Sequence, residues 1–187
     1  MITTRFLSNK EYGWYADWLK DQDDETLRLY FGIPVTDYFI ENLVKGFVDN
    51  PEKHQFLVAE RNGVWVGTIH IAIVGKSNIE FGVIVASSCR QQGVADQMME
   101  EAIVWARNSG FKNLYMHCLT WNRPIRNLCE KHNLEIKNFT DGGETESLCK
   151  LPPRTLSSIG HEYVIKNRNL YRMILQTQEE MFVGLYK

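Results

Sequence analysis

Residues 79–108 constrain the fold more than any other part of this 187-residue chain. They begin with the β-branched run 79–85, which predicts a strand. Apolar residues then recur at helical spacing from Ala95 onward, and Gly110 is a suitable end for that helix. A short polar loop with Gly93 joins the two elements. A strand, a glycine loop and a helix in this order aim backbone N–H groups at one point, so the stretch predicts a phosphate site.

The loop lacks the motifs of two common nucleotide sites. No Gly-Lys-Ser or Gly-Lys-Thr follows the strand, which excludes a nucleoside-triphosphatase loop, and no Gly-x-Gly-x-x-Gly supports a dinucleotide site. The pattern that remains is Arg90-x-x-Gly93-x-Ala95. Gly93 lets the backbone approach a ligand closely, and Ala95 keeps the first helical turn uncrowded.

Composition limits the classes of protein to which the chain can belong. A net charge of −2 and a pI near 6.2 argue against nucleic acid as a partner. No apolar run is long enough to span a membrane, and the first residues do not resemble a signal peptide. The cysteines show no paired ligand spacing, so we expect reduced thiols, no metal site and a cytoplasmic location.

The chain before residue 79 predicts one strand, three helices and a hairpin. Residues 2–7 form the strand, and the helices follow between residues 8 and 49. The acidic residues 21–25 could cap one of these helices or attract a cationic substrate. The Asn62-Gly63 pair between two apolar runs predicts a tight hairpin turn. A three-stranded antiparallel meander should therefore lead into the strand at 79–85.

The chain after residue 110 predicts a strand, a helix, a hairpin and a long final helix. Residues 114–119 should run parallel to the strand at 79–85, because a helix connects them. Asn122 opens the next helix, and a hairpin turns around residues 141–143. Residues 157–187 form the final helix, whose apolar stripe needs a partner in the domain or in another subunit. The stripe consists of Tyr163, Leu170, Ile174, Met181 and Leu185.

The loop motif resembles the signature of a known enzyme family. In its strand–loop–helix context, Arg90-x-x-Gly93-x-Ala95 is similar to the (Gln/Arg)-x-x-Gly-x-(Gly/Ala) signature of the GNAT superfamily of N-acetyltransferases. The order of elements resembles the same fold. The resemblance implies an α/β protein with a central mixed, mostly antiparallel sheet, helices on both faces and a long C-terminal helix. It covers a domain at residues 1–151, and residues 152–187 form a helical extension that packs on the domain or on a partner subunit.

The same resemblance implies where acetyl-CoA binds. The pantetheine arm would pair like a short strand with the backbone of Val83, Ile84 and Val85, and Asn122 would lie near that arm. The pyrophosphate would contact the loop and the first helical turn. The residues assigned to this part of the site are Arg90, Gln91, Gln92, Gly93, Val94, Ala95 and Asp96.

A narrower resemblance links the chain to the bacterial Pat-type protein-lysine acetyltransferases, which modify acyl-CoA synthetases. It rests on residues 24–31, 80–85 and 122–128. The subgroup also contains members of unknown substrate, so the resemblance does not identify the acceptor. We predict direct transfer of the acetyl group, in a ternary complex, to a primary amine that is either a protein lysine or a small amine. The alternative to an active acetyltransferase is a catalytically inactive acyl-CoA-binding regulatory module. We expect the protein to be a monomer or a homodimer. The aromatic residues that would line an acceptor pocket, or belong to the core, are Trp14, Trp18, Tyr30 and Phe31.

One position departs from the pattern of the family. Many members carry a tyrosine as the general acid on the helix after the asparagine, and Cys129 stands there in this chain. The Pat-type subgroup commonly lacks that tyrosine as well, so the departure does not exclude activity. We group Cys129 with the cofactor site, as a small residue of the pocket or the core.

Two side chains are candidates for the base that accepts a proton from the amine. A lysine-type amine is mostly protonated at pH 7, so transfer needs such a base. Glu80 lies where the subgroup places its catalytic glutamate, and desolvation by Ile79 and Phe81 would make it a stronger base. Alternatively, Glu80 points to solvent. His117 titrates in a useful range but could equally be a core histidine, and a backbone N–H near Val83 would hold the oxyanion.

Overall fold

The computed structural model describes residues 1–119, 121–138 and 144–185. The strands in this part of the chain are β1 (Thr3–Phe6), β2 (His54–Arg61), β3 (Val64–Val74), β4 (Asn78–Val85), β5 (Asn113–Leu119), β6 (Glu135–Asn138) and β7 (Glu144–Lys150). The α-helices are α1 (Trp14–Lys20), α2 (Asp24–Phe31), α3 (Asp37–Asp49), α4 (Val94–Asn108), α5 (Arg123–Lys131) and α6 (Leu156–Leu185).

The strands form one mixed sheet in the order β1-β2-β3-β4-β5-β7-β6. β4 and β5 run parallel, and the other neighbouring strands pair antiparallel. The parallel pairing involves only Asn78 to Glu80 on β4. Beyond Glu80 the strands diverge, because β4 stays with β3 as far as Val85 and β5 stays with β7 as far as Leu119. We call the resulting wedge between them the splay. The predicted mixed, mostly antiparallel sheet is confirmed.

Helices cover both faces of this sheet, as predicted. On one face α4 packs through side chains such as Met98, Met99 and Ala102, which belong to the larger apolar core. On the other face α1, α2 and α3 enclose a second core that is rich in aromatic rings, with Tyr15 and Phe56 at its centre. The side chains of β4 alternate between these two cores, so the strand is held from both sides.

Local signals set the ends of several elements where the sequence predicts them. Asp23 and Thr36 cap α2 and α3, each accepting a hydrogen bond from a backbone N–H of the first turn. Asn62 and Gly63 both have positive φ, 53° and 74°, as a two-residue hairpin requires. The turn expected around residues 141–143 lies outside the described residues.

The C-terminal helix α6 packs against α4 and β1, but through a different face from the one that its apolar pattern indicates. Its contact face contains Ile165 and Asn169, which are 2% and 5% exposed. The predicted stripe points away from the domain, since Tyr163, Leu170 and Ile174 are 68%, 56% and 48% exposed. The remaining stripe positions, Met181 and Leu185, have side chains outside the described part.

A buried polar cluster holds α6 in place. The Asn169 amide donates to the Thr4 hydroxyl at 2.8 Å and to the Glu101 carboxylate at 3.1 Å, and the Thr4 hydroxyl donates to Glu101. Burial raises the pKa of Glu101, although these hydrogen bonds oppose the rise. Hydrophobic periodicity cannot reveal such a contact, which is why the apolar pattern does not predict the face that packs on the domain. Among the described residues, no helix has the length and apolar character needed to cross a bilayer.

Candidate functional site

A groove of about 480 Å³ opens at the splay. Its walls come from the end of β4, the loop that follows, the start of α4, and the facing sides of α2 and α5. Most of the residues predicted to bind the cofactor line it, so the structure brings them together. They are Val83, Ile84, Val85, Arg90, Gln91, Gly93, Val94, Ala95, Asp96 and Asn122.

The backbone of β4 presents hydrogen-bonding groups to this groove at alternate residues. The Ala86 N–H donates to the Val66 carbonyl at 3.0 Å, so Ile84, two residues earlier, also bonds towards β3. Val83 and Val85 therefore direct their N–H and C=O groups towards the splay. Beyond the short β4–β5 pairing, these groups can pair with an extended ligand.

The start of α4 presents N–H groups without an intrahelical partner. Gln91 and Gly93 have positive φ, 59° and 77°, and within the described residues no side chain caps the helix. The Gln97 N–H makes the first backbone bond, to the Gly93 carbonyl. The N–H groups of residues 94–96 consequently lie at the open end of the helix. Together with the positive end of the helix dipole, they suit phosphate oxygens.

Asp96 is an acidic residue in the first turn of α4, and it contacts two basic side chains. Its Oδ1 lies 2.9 Å from Lys131 Nζ and 3.0 Å from His132 Nε2. Burial tends to raise the Asp96 pKa, yet the hydrogen bonds and charges of Lys131 and His132 lower it overall. These contacts join the start of α4 to the end of α5 across the groove. Lys131 lines the groove, although no motif in the sequence marks it.

The motif residue Arg90 ties the loop to α2. Its guanidinium donates to the Thr26 hydroxyl at 2.6 Å. Hydrogen bonds from Ser87 and from Thr26 lower the pKa of Asp23 to about 2, and the charge of Arg90 adds to this effect. Asp23, within the acidic run 21–25, thus serves as a helix cap beside the loop.

Two residues predicted for the cofactor site lie outside the groove lining. The Gln92 side chain accepts from Arg61 at 2.7 Å and donates to the Ser88 carbonyl at 3.0 Å, so it folds back over the loop. Cys129 is fully buried, and its sulfur lies 3.4 Å from the sulfur of Met116. The structure therefore places Cys129 in the core, on the inner face of α5.

A smaller cavity of about 40 Å³ continues the groove into the splay. It shares Tyr30, Val83 and Asn122 with the groove, and it adds Gly82 and His117. The Asn122 side chain also caps α5, since its oxygen accepts from a backbone N–H of the first turn at 3.4 Å. A ligand that runs along β4 from the loop would end at this cavity.

The two candidate bases face each other at the mouth of the splay. His117 Nε2 lies 4.0 Å from Glu80 Oε1, and their side chains are 50% and 45% exposed. Because side chains alternate along β4, the buried residues Ile79 and Phe81 point to the opposite face and do not enclose Glu80. The expected desolvation by these neighbours is therefore absent, and His117 is not a core histidine. Within the described part of the chain, no three His, Cys, Asp or Glu side chains are placed to hold a metal ion.

Comparison with known proteins agrees with this architecture. Residues 13–134 match the profile of the family described as "Acetyltransferase (GNAT) family". No curated protein matches the chain in sequence.

Three solved structures illustrate the structural similarity. The GNAT domain of S. lividans PAT is 16% identical with a TM-score of 0.68, over 79% of this chain and 89% of that one. YncA from Salmonella typhimurium, solved with its cofactor acetyl-CoA, is 14% identical with a TM-score of 0.63, over 83% and 96%. The PaiA N-acetyltransferase from Thermoplasma acidophilum, in complex with coenzyme A, is 17% identical with a TM-score of 0.61, over 80% and 99%. At these identities the similarity establishes a shared fold.

Proposed function

Because this chain belongs to the GNAT acetyltransferase family, we propose that it transfers an acetyl group from acetyl-CoA to a primary amine. The acceptor is a protein lysine or a small amine. One observation carries the proposal: a single groove runs from the N–H groups of residues 94–96, past the open edge of β4, to His117, which lies 4.0 Å from Glu80. A phosphate site, a strand-like arm site and candidate bases thus follow one another in the order that acetyl-CoA and an amine require.

The residues present fit acetyl-CoA. The N–H groups of residues 94–96 would hold the pyrophosphate, and Lys131 adds a positive charge at the same wall. Val83 and Val85 offer backbone groups at the spacing with which an extended pantetheine arm can pair. The acetyl-CoA and coenzyme A bound in two of the structural neighbours support the same ligand here.

The chemistry follows from the groups at the mouth of the splay. Glu80 accepts a proton from the ammonium, directly or through water, and the neutral nitrogen then attacks the thioester carbonyl carbon. The Val83 N–H holds the oxyanion, and the C–S bond breaks with its electron pair leaving on sulfur. The second proton of the attacking nitrogen passes to that sulfur, which leaves as the thiol. His117, 4.0 Å from Glu80, is the second candidate for the base. Direct transfer is favoured over an acyl-cysteine step on Cys129, because that thiol is buried against Met116.

The Pat-type subgroup supports a protein lysine as the acceptor. The motifs at residues 24–31, 80–85 and 122–128 resemble that subgroup, and S. lividans PAT shares the fold. Acyl-CoA synthetases therefore belong among the acceptors to be tested, beside a set of small amines.

The cofactor site is tested by thermal unfolding with and without acetyl-CoA. A ligand that binds only the folded protein raises the melting temperature. Gly93→Glu should abolish the rise, because it places a carboxylate at the phosphates. Gly75→Glu is the matched control, since Gly75 also has positive φ and open space around it but lies in the β3–β4 turn. Equal rises in both variants would place the cofactor elsewhere.

The reaction is tested by thiol release from acetyl-CoA with each acceptor. We expect Glu80→Gln to lower the rate by on the order of 10²–10⁴-fold with little change in acetyl-CoA affinity. The loss should shrink at high pH, where more of the amine is already neutral. A large loss in His117→Gln with a normal rate in Glu80→Gln would move the base to β5. Acetyl-CoA binding without thiol release for any acceptor would favour the inactive acyl-CoA-binding module.

A further inference from the structure

Tyr30 of α2 lies directly on the backbone of β4. A Cβ added to Gly82 would meet the Tyr30 hydroxyl oxygen at 2.6 Å and two ring carbons at 3.0 and 3.1 Å. A side chain at position 82 would thus displace the ring, and glycine permits this close approach. Tyr30 also lines both the groove and the smaller cavity. Tyr30 therefore lies where the groove and the cavity meet.

The hydroxyl of Tyr30 is oriented by a second tyrosine. The buried Tyr15 hydroxyl donates to the Tyr30 oxygen at 3.3 Å. Since Tyr30 accepts this hydrogen bond, its own proton is free to point elsewhere. Among the described residues, no acceptor for that proton is found. Tyr15 is thus a positioning residue for a donor at the cavity.

The phenol of Tyr30 stays protonated at neutral pH. Burial raises the pKa of Tyr30 to about 12; the hydrogen bond from Tyr15 opposes this rise, and the carboxylate of Glu80 adds to it. A group with such a pKa is a hydrogen-bond donor that keeps its proton. It differs in this respect from a general acid, which must release one.

From this geometry we propose that Tyr30 supplies the second hydrogen bond to the oxyanion, beside the N–H of Val83. The proposal rests on the proposed acetyl transfer. Gly82, on which the hydroxyl lies, directly precedes Val83, so the two donors belong to adjacent positions along β4. Both can therefore reach one oxygen at the end of the groove.

The step balances without any further reactant. The amine nitrogen bonds to the carbonyl carbon, and the π electron pair moves to the carbonyl oxygen. Tyr30 and the Val83 N–H donate hydrogen bonds to this oxygen, and neither gives up its proton. When the double bond re-forms, the C–S bond breaks and its electron pair leaves on sulfur. A proton that the attacking nitrogen still carries passes to this sulfur, so the products are the amide and the free thiol of coenzyme A. Tyr30 thus takes no part in the proton transfer assigned to Glu80.

Tyr30→Phe tests the proposal, because it removes one oxygen and keeps the ring on Gly82. Removing one oxyanion donor lowers kcat by about 10²–10³-fold, so we expect that loss with KM and the acetyl-CoA melting shift unchanged. Tyr15→Phe should lower kcat by less, since it only frees the Tyr30 hydroxyl to rotate. Tyr12→Phe is the control for the same chemical change: Tyr12 is buried, and its hydroxyl donates to the His54 carbonyl at 2.8 Å, away from the groove.

A second measurement needs no acceptor. The infrared carbonyl band of bound acetyl-CoA, labelled with ¹³C at the acetyl carbonyl, reports hydrogen bonds to that oxygen. We expect the band at a higher frequency in Tyr30→Phe than in the wild type and in Tyr12→Phe. The same band and the same kcat in all three proteins would overturn the role of Tyr30 while leaving acetyl transfer intact. A wild type that acetyl-CoA fails to stabilise would overturn the role of Tyr30 together with the proposed function.

Discussion

Gly82→Ala is the substitution for which the structure gives the most direct estimate. The new methyl group would lie 2.6 Å from the Tyr30 oxygen and within 3.1 Å of two ring carbons. The ring must retreat by roughly 0.8 Å to restore an ordinary carbon–oxygen separation. It has little room to do so, because its edge packs against Phe31 at 4.8 Å between centroids and its hydroxyl meets Tyr15.

The expected loss follows from this overpacking. Extra carbon in a well-packed core costs about 1–3 kcal/mol in the free energy of unfolding. For a domain of this size each kcal/mol corresponds to about 2–4 °C in melting temperature. We therefore expect Gly82→Ala to melt roughly 2–12 °C below the wild type, measured by calorimetry or circular dichroism.

Gly46→Ala is the control for the same chemical change. Gly46 is an exposed residue inside α3, and an added Cβ there meets nothing within 4 Å. Alanine should stabilise that helix by about 0.5–1 kcal/mol, because glycine is the poorer helix former. Gly82→Ala and Gly46→Ala should therefore differ in sign.

A double-mutant cycle identifies the cause of the loss. Tyr30→Leu removes the phenol that the new methyl group would meet, so Gly82→Ala should be less damaging in that background. If Gly82→Ala is as stable as the wild type, or if its effect is the same with and without Tyr30→Leu, the close approach of Tyr30 to β4 is not what requires glycine at position 82.

Three further predictions concern charge and pH. Burial raises the pKa of Glu101, so the folded state holds this proton more tightly than the unfolded state does. Stability therefore falls as pH rises above the ordinary pKa value of 4.5. Glu101→Gln should remove that fall, measured by urea unfolding at pH 5 and at pH 7. Burial and the nearby His54 lower the pKa of His70 to about 3, so stability is lost as pH falls from 6.5 towards 3; His70→Phe should reduce this acid loss in the same measurement, and an unchanged loss would contradict the assignment. Lys131→Ala should weaken acetyl-CoA binding about tenfold by titration calorimetry, since it removes a charge at the phosphate turn, whereas Lys45→Ala, at an exposed pair with Asp49, should leave it unchanged.

Much of the fold could be predicted because its signals are local. Asp23, Thr36 and the Asn62-Gly63 pair each satisfy backbone groups or φ values within a few residues, so their effect shows in the sequence. The strand–loop–helix at 79–108 is likewise contiguous. Parallel pairing of β4 and β5 then follows from the helix between them.

The parts that could not be predicted depend on contacts between distant residues. The docking face of α6 is set by Asn169 meeting Thr4 and Glu101, which are far away in sequence. A helical stripe of apolar residues competes with that signal and lies on the opposite face. Polar contacts of this kind follow no period, so pattern reading cannot find them.

In the candidate site, too, local motifs were predicted from the sequence and contacts between distant residues were not. The loop residues were identifiable from one motif. Tyr30 was predicted only as one of four aromatic residues of an acceptor pocket or the core, because its contact with β4 comes from another helix. Lys131, which reaches the groove from the end of α5, was not predicted. The glycine at position 82, in an otherwise β-branched strand, was the available signal for Tyr30. An isolated glycine in a strand often marks the close approach of another group.

The short β4–β5 pairing is the link between two parts of the sheet. One part consists of β1–β4 and the other of β5–β7, and the pairing between them ends at Glu80. Val83 lies about 10 Å beyond the end of this pairing, so a rotation of only about 6° between the two parts of the sheet would change the gap there by about 1 Å. The Asp96–Lys131 ion pair connects the two parts of the sheet through α4 and α5, and it opposes their separation. The width of the splay at Val83 is therefore set by the angle between the two parts of the sheet and by the contacts of Asp96 with Lys131 and His132, as well as by the size of the side chains that line it.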